Sequence, residues 1–275
     1  MKILKKNILV DSSGTKITRL DIHSPDIAKK AMPGQFIALM ASAEGERIPL
    51  TVVDTNKEKG IITLIYQELG LTTKLLGRLD AGDSLYSLVG PLGHATDIKR
   101  YGNIILIGGG VGIAEIYPIA KAMKKAGNHI TIILGARTKE LLILEKELGA
   151  ASDEIHITTD DGSYGEKGFV TDVLKRLLTQ TADARLIYAV GPIPMMKRVA
   201  AVSKPFNIKT VASLNALMVD ATGMCGCCRV TVADKVRFSC VDGPEFDAHE
   251  VDWDELEKRN RIYDEKEKHI CRLIK

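Results

Sequence analysis

The sequence predicts a mixed fold in three parts: an antiparallel β-barrel over residues 1–99, a Rossmann-like parallel α/β domain over 100–212, and a short extension over 213–275. Three observations predict it. The first hundred residues are short β-type runs separated by turn residues. From Asn103 onward, apolar runs alternate with helical patterns, which builds a parallel sheet with helices on both faces. Four of the five cysteines then fall between Cys225 and Cys240.

The β runs of the first part are KKNILV, TKITRLDI, GQFIALM, PLTVVDT, GIITLIY and DSLYSLV, with one short helical piece expected near Thr72–Leu79. The second part offers strands NIILIGG, HITIILGA, EIHITTDD, ARLIYAV and KTVASL. Between them lie the helical segments IAEIYPIAKAMKKAG, TKELLILEKELG, FVTDVLKRLLTQ and PIPMMKRVAAVSK. The tail from Val251 to Lys275 holds seven acidic and seven basic residues, which suits either a helix over a neighbouring surface or a solvated arm.

Composition narrows the function classes. The 275 residues carry a net charge of only +3, too little for a nucleic-acid surface. With 27% charged and 45% hydrophobic residues the chain is globular rather than disordered. No apolar run approaches the roughly 18–20 residues of a membrane span. The start, MKILKKNILVDSSG, lacks a long apolar region and a small-residue cleavage site, so a cytoplasmic protein is expected. In a reducing cytosol, clustered cysteines point to metal binding or redox chemistry rather than disulfides.

The run Ile104–Ile107 enters Gly108-Gly109-Gly110-Val111-Gly112 and then a helix. Glycines let backbone approach a phosphate, and a helix start offers free N–H groups. The G-x-G-x-x-G fingerprint is incomplete, because Glu115 stands where a third glycine would fall counting from Gly110. Further turns at strand ends are Gly135-Ala136-Arg137, Asp160-Asp161-Gly162 and Gly191-Pro192. Ligands of open parallel sheets bind at that edge, so Gly109, Gly110, Val111, Gly112, Ala136, Arg137, Asp161, Gly191 and Pro192 are candidate nucleotide-binding residues. Arg137 could accept a 2′-phosphate, and no acidic residue follows the second strand to hold a free ribose; alone, this hints at NADP(H).

Cys225 and Cys228 form a C-x-x-C, and Cys240 follows twelve residues later. Asp220 completes an Asp-x4-Cys-x2-Cys spacing, that of the plant-type iron–sulfur loop with aspartate in the first position. Asp220, Cys225, Cys228 and Cys240 are therefore the candidate metal ligands. Zinc held by the same cysteines, with Cys227 or Asp220, is an open alternative, as are buried thiols that bind nothing. Cys227 and Cys271 are expected to be bystanders.

In this order, barrel, nucleotide domain and cysteine loop resemble the ferredoxin–NADP reductase superfamily. Within it the chain is similar to the electron-transfer subunits serving bacterial dihydroorotate dehydrogenase, and more so to small subunits of electron-bifurcating NADH-dependent reduced ferredoxin:NADP oxidoreductases. The segments LMVDATGMCGCCRV, AEIYPIAKAMK and PEFDAHEVDWDEL carry this resemblance. It implies FAD in the barrel. Arg47, Pro49, Leu50 and Thr51 match the R-x-P-[LI]-[ST] flavin motif, with Arg47 toward phosphate and Thr51 near the reactive edge of the ring. Leu64, Ile65 and Tyr66 would line the adenine and ribose side. Gly70, Thr72 and Thr73 resemble the G-x-[GS]-T turn that holds pyrophosphate, and Gly90-Pro91-Leu92-Gly93 matches the turn linking barrel to nucleotide domain. The resemblance further implies a [2Fe-2S] cluster, NAD(H) as the nucleotide, a larger flavin and iron–sulfur partner subunit, and ferredoxin served through the complex. Aspartate at position 220, where dihydroorotate-linked subunits ordinarily have cysteine, favours the bifurcating group. A zinc-stabilised nucleotide-binding scaffold without turnover is the reading from another class.

Overall fold

The computed structural model describes residues 1–180, 183–266 and 269; Cys271 lies outside them. The elements in the first part are β1 (Ile3–Ser12), β2 (Thr15–His23), α1 (Pro25–Lys30), β3 (Phe36–Met40), β4 (Ile48–Thr51), β5 (Asp54–Asn56), β6 (Ile61–Gln67), α2 (Leu71–Leu76) and β7 (Ser87–Leu92). The second part holds β8 (Asn103–Gly109), α3 (Gly112–Lys125), β9 (His129–Ala136), α4 (Glu145–Ala150), β10 (Glu154–Thr159), β11 (Glu166–Lys167), α5 (Val170–Gln180), β12 (Ala184–Val190), α6 (Ile193–Ser203) and β13 (Thr210–Ser213). β14 (Arg229–Val232), β15 (Lys235–Phe238), β16 (Glu245–Asp247) and α7 (Trp253–Asn260) complete the described chain.

Contacts divide these elements into two compact units. One comprises Met1–His94, Ala216–Pro244 and Asp252–Lys275; the other comprises Ala95–Asn215 and Glu245–Val251. The extension read as a third part thus clusters with the β unit, except for a short stretch around β16. The reason is register: β16 runs antiparallel to β13 with Ser213 opposite Glu245, which makes it an edge strand of the parallel sheet.

The β unit has three antiparallel sheets, of order β1-β2-β6-β5, β4-β3-β7 and β14-β15, and the first two face one another. Alternation along the strands makes one shared core. Leu20 and Ile22 of β2, Ile37 and Leu39 of β3, and Ile62, Leu64 and Tyr66 of β6 all turn inward. The short α1, not foreseen as a helix, begins on Pro25, whose ring is compatible with a first helical turn, and buries Ile27 and Ala28 in that core.

In the other unit the sheet order is β11-β10-β9-β8-β12-β13-β16. Strands β10, β9, β8, β12 and β13 are mutually parallel. The chain winds outward from β8 through β9 and β10, then returns to the other side of β8 with β12 and β13. The topological switch therefore lies at the carboxyl ends of β8 and β12. Ile104–Ile107 are buried because both faces of a parallel sheet are covered. Helix α3 lays Ile113, Ile116, Ala120 and Met123 on the sheet, with Glu115 in its first turn and Lys124 and Lys125 in its last. The segment TKELLILEKELG is not one helix. It is a 3-10 turn at Lys139–Leu141, an extended piece and the short α4, because Leu141 and Ile143 are both buried and Leu144 adopts φ 55°.

Gly112 is where α3 meets β12: a Cβ there would lie 2.6 Å from the Val190 carbonyl oxygen. Gly112→Ala is expected to cost about 1–3 kcal/mol as an overpacking change, measurable by urea denaturation; a loss well below that would show that the contact relaxes. A second prediction concerns Glu245. Its carboxylate accepts hydrogen bonds from Thr96 Oγ1 and, at 2.7 Å, from Tyr188 Oη. Burial raises its pKa above the ordinary 4.5, against the pull of both hydroxyls. Above 4.5 the native state then holds more protons than the unfolded chain, so this group's contribution falls as pH rises toward the raised value. Glu245→Gln should flatten that slope and leave stability at neutral pH no lower than wild type; a series of urea midpoints against pH checks both.

Candidate nucleotide, flavin and iron–sulfur sites

At the switch point, Val111 precedes α3 and offers no capping side chain, while the N–H groups of Ile113 and Ala114 are bonded to the carbonyls of Gly110 and Val111 at 3.2 and 2.9 Å. Gly110 has φ +57° and faces open space where a Cβ would stand. Its N–H is tied to the Gly135 carbonyl at 3.0 Å, which joins this turn to the end of β9. Gly191 and Pro192 form the turn after β12, and Pro192 starts α6. Sequence reasoning missed Met195. Its side chain lies over both turns, so closely that a Cβ on Gly109 would meet Sδ at 2.3 Å and one on Gly191 would meet Cε at 2.7 Å. Ala136 is buried and Arg137 exposed at the end of β9. Asp161 accepts hydrogen bonds from Ser163 Oγ and N at 2.7 and 2.9 Å, and the hydroxyl leads in lowering its pKa. An open cradle beside Gly110, at the N-terminus of a helix, fits a dinucleotide phosphate.

In the β unit, Ile48 and Leu50 pack on the core, so alternation turns Pro49 and Thr51 of the half-buried β4 to the other face. Thr73 Oγ1 accepts from the N–H groups of Leu69 and Gly70 at 2.9 and 3.1 Å, which caps α2. The side toward Gly70 is open, and Thr72 is buried one residue into the helix. Leu64 and Tyr66 are core side chains and Ile65 is also buried, so what Leu64 and Ile65 can offer a ligand is backbone. The Tyr66 hydroxyl is buried, and burial raises its pKa against the pull of Thr18. An outward Thr51 face and an open glycine turn fit a flavin nucleotide.

The cysteine loop is shaped by the β14–β15 hairpin. Its turn, Ala233-Asp234, has φ 49° and 58°, as a two-residue type I′ turn requires. Pairing of Arg229 with Phe238 brings the residues just outside the hairpin together. Cys228 Sγ and Cys240 Sγ are 3.2 Å apart, both buried, and Cys240 N–H points at Cys228 Sγ. Burial pushes the Cys240 thiol up to about 12, helped by the hydrogen bond with Cys228. A metal must displace those protons. Cys225 is exposed, and its pKa is lowered first by the Cys227 N–H and then by the amides of Asp220 and Val219. Cys227 is half-buried, and burial raises its thiol. Asp220 is held by Thr222 Oγ1 on Oδ2 and by Arg47 Nη1 on Oδ1 at 2.6 Å, with Thr222 the larger cause of its lowered pKa. Among the described residues, no three His, Cys, Asp or Glu side chains converge into one metal-holding group. The structure brings Cys228 to Cys240, and places Cys225 and Asp220 on the adjoining loop. Three thiols, one carboxylate and amides aimed at sulfur are the donor chemistry of an iron–sulfur site. Helix α7 braces this loop: Arg259 Nη2 donates to the Cys227 carbonyl and Asn260 accepts from Leu217 N–H, both at 3.0 Å. No local sequence signal marks those two residues.

Residues 215–252 match the family described as the iron–sulfur cluster binding domain of dihydroorotate dehydrogenase B, and residues 106–201 match the oxidoreductase NAD-binding domain. A Thermotoga maritima protein, named dihydroorotate dehydrogenase B (NAD(+)), electron transfer subunit homolog, is 51% identical over 247 residues, 90% of this chain and 87% of its own. The chain belongs to the family of dihydroorotate dehydrogenase B electron-transfer subunits and their homologues. A Bacillus caldolyticus electron transfer subunit of this family is 33% identical, with 82% and 88% covered. A solved structure of NADH-dependent reduced ferredoxin-NADP oxidoreductase, described in terms of flavin-based electron bifurcation, superposes with TM-score 0.93 at 45% identity, covering 100% of this chain and 98% of that one. The Plasmodium falciparum ferredoxin-NADP+ reductase, at 18% identity and TM-score 0.59 over 74% of this chain and 88% of its own, shares the fold. As a member of this family the chain is an NAD(P)H-linked oxidoreductase subunit whose cofactors are FAD, an iron–sulfur cluster and NAD(H). The zinc reading of the cysteines gives way to iron and sulfur on the match over residues 215–252.

Replacing Cys228 or Cys240 by Ser should abolish the visible absorption of the cluster and reduce iron from about two per chain to near zero. Cys227→Ser should keep both, as read by iron analysis and absorption spectra. Iron lost equally from Cys227→Ser would make Cys227 a ligand.

Proposed function

We propose that the chain is the electron-transfer subunit of a flavin-based electron-bifurcating NADH-dependent ferredoxin:NADP oxidoreductase. It exchanges hydride with NAD(H) at FAD and passes single electrons through a [2Fe-2S] cluster to a larger flavin and iron–sulfur partner subunit. The observation that carries this reading is the likeness to the bifurcating oxidoreductase over the whole chain, cysteine loop included. Asp220 in the first position of that loop supports it from the sequence. When bound, FAD supplies two-electron chemistry that can be released singly, and the cluster supplies a one-electron relay.

The residues divide this work. Gly109, Gly110, Val111 and Gly112, with Gly191 and Pro192, receive the dinucleotide phosphates, and Ala136, Arg137 and Asp161 flank the adenosine end. Arg47, Gly70, Thr72 and Thr73 hold the flavin phosphates; Pro49, Leu50 and Thr51 support the ring; Leu64, Ile65 and Tyr66 take the adenosine side. Asp220, Cys225, Cys228 and Cys240 hold the cluster. No acid–base pair is needed for a relay. The modules run 1–99, 100–212 and 213–275 in this reading, and the complex works in the cytoplasm with ferredoxin as its outer partner. No described helix is long and apolar enough to cross a membrane.

A second reading, electron transfer to dihydroorotate dehydrogenase, is favoured by the names of the relatives at 51% and 33% identity. The purified chain should show a flavin spectrum and be reduced by NADH at least about tenfold faster than by NADPH, a preference worth about 1.4 kcal/mol. Stopped-flow reduction measures the ratio, and a preference for NADPH overturns the nucleotide assignment. Co-purification from the native host separates the two partners: a dihydroorotate-oxidising subunit would overturn the bifurcating reading.

A further inference from the structure

Arg47 and Asp220 lie 173 residues apart, one in the flavin motif and the other in the cysteine loop, yet Nη1 donates to Oδ1 at 2.6 Å. Both belong to the same compact unit. The side chains are 36% and 28% exposed, so neither charge is stripped of water. Thr222 Oγ1 holds the second oxygen, Oδ2. A carboxylate has about four lone-pair sites. Arg47 takes one on Oδ1, and the hydroxyl and backbone N–H of Thr222 take two more, which fixes rotation of the group and leaves about one site for a metal. A guanidinium carries five N–H donors in a rigid fork. With Nη1 turned to Asp220, donors on Nε and Nη2 remain for a phosphate, so one side chain can serve both sites.

We propose that Arg47 is a positioning residue for the cluster: it orients the Asp220 carboxylate toward the cysteine loop and offsets its negative charge there. This rests on the reading of Asp220 as the fourth ligand. An anionic carboxylate in place of a thiolate brings hard-donor character to the site, and a cation bonded to its outer oxygen withdraws charge from it. Removing that cation favours the oxidised cluster, so the midpoint potential falls. The pair also connects the flavin motif to the metal loop through a single hydrogen bond.

The test uses the flavin- and iron-loaded protein and its variants Arg47→Gln, Arg47→Lys, Asp220→Cys and the double variant Arg47→Gln/Asp220→Cys. Electron paramagnetic resonance of the reduced cluster and a spectroelectrochemical titration are read beside flavin and iron content. Arg47→Gln should shift the potential to a more negative value and alter the resonance line shape at unchanged iron content. In the Asp220→Cys background the same change should move the potential by less than half as much. An unchanged potential and line shape in Arg47→Gln, with both changed in Asp220→Cys, overturns the positioning role and leaves the ligand reading standing. An equal shift in both backgrounds also overturns it. No change in Asp220→Cys sinks the ligand reading itself, and the proposal with it. Should Arg47→Gln purify without FAD, Arg47→Lys decides: its point charge cannot hold Oδ1 in the same orientation, so a line shape identical to wild type overturns the role.

Discussion

A parallel strand covered on both faces must be apolar along its whole length, and β8 is the strand on which the nucleotide-binding unit depends. Ile104, Ile105, Leu106 and Ile107 can enter that position because they need no solvent. Once they do, β9 and β12 pair on opposite sides of them, and the switch in strand order falls where the apolar run ends in glycine. The helix that follows must start against the carbonyl of Val190, which is why a residue without Cβ stands at position 112. Core packing and the open glycine turn are thus consequences of one another: the burial that anchors β8 places the start of α3 at the open edge of the sheet.

The metal loop is organised by a different constraint, antiparallel register. Pairing of β14 with β15 fixes Cys228 and Cys240 across the open end of a hairpin. Cys225 lies beyond that hairpin, among backbone amides that lower its pKa. The loop therefore offers one buried pair with a raised thiol and one exposed sulfur already surrounded by donors. Helix α7 reinforces the arrangement from outside through Arg259 and Asn260, so the tail contributes a brace for the loop.

How much of this is legible in the sequence follows from how local each cause is. Period-two alternation exposes the strands of the β unit, and continuous apolar runs expose β8, β9 and β12, because both signals lie within single elements. The C-x-x-C and the aspartate five residues before it are equally local. The segment TKELLILEKELG misleads because four consecutive apolar residues fit a helix pattern, whereas the tertiary structure buries Leu141 and Ile143 and turns the chain at Leu144. The affiliation of β16 with the parallel sheet and the position of Met195 over two glycine turns depend on pairings between distant segments. The Gly70–Thr73 turn is legible as a motif, but only the geometry shows that the Thr73 hydroxyl accepts from Leu69 and Gly70, which leaves backbone N–H groups to meet a phosphate. Thr222 follows Asp220 by two residues, a spacing at which a short hydroxyl side chain reaches a neighbour.

The Arg47–Asp220 pair is the least local feature and the one with most bearing on chemistry. Ion pairs open to water contribute little to folding, because solvent screens them and two side chains must be ordered. The folded state does not need this one, so its physical consequence lies elsewhere: in the orientation of a carboxylate that also has Thr222 on its second oxygen. A carboxylate free to rotate would present either oxygen to a metal, with its full charge. One held from two sides presents a defined lone pair with reduced charge. With Asp220 as the proposed fourth ligand, the strength of that donor is set by Arg47, and the character of the cluster becomes a property of the whole β unit rather than of the cysteine loop alone.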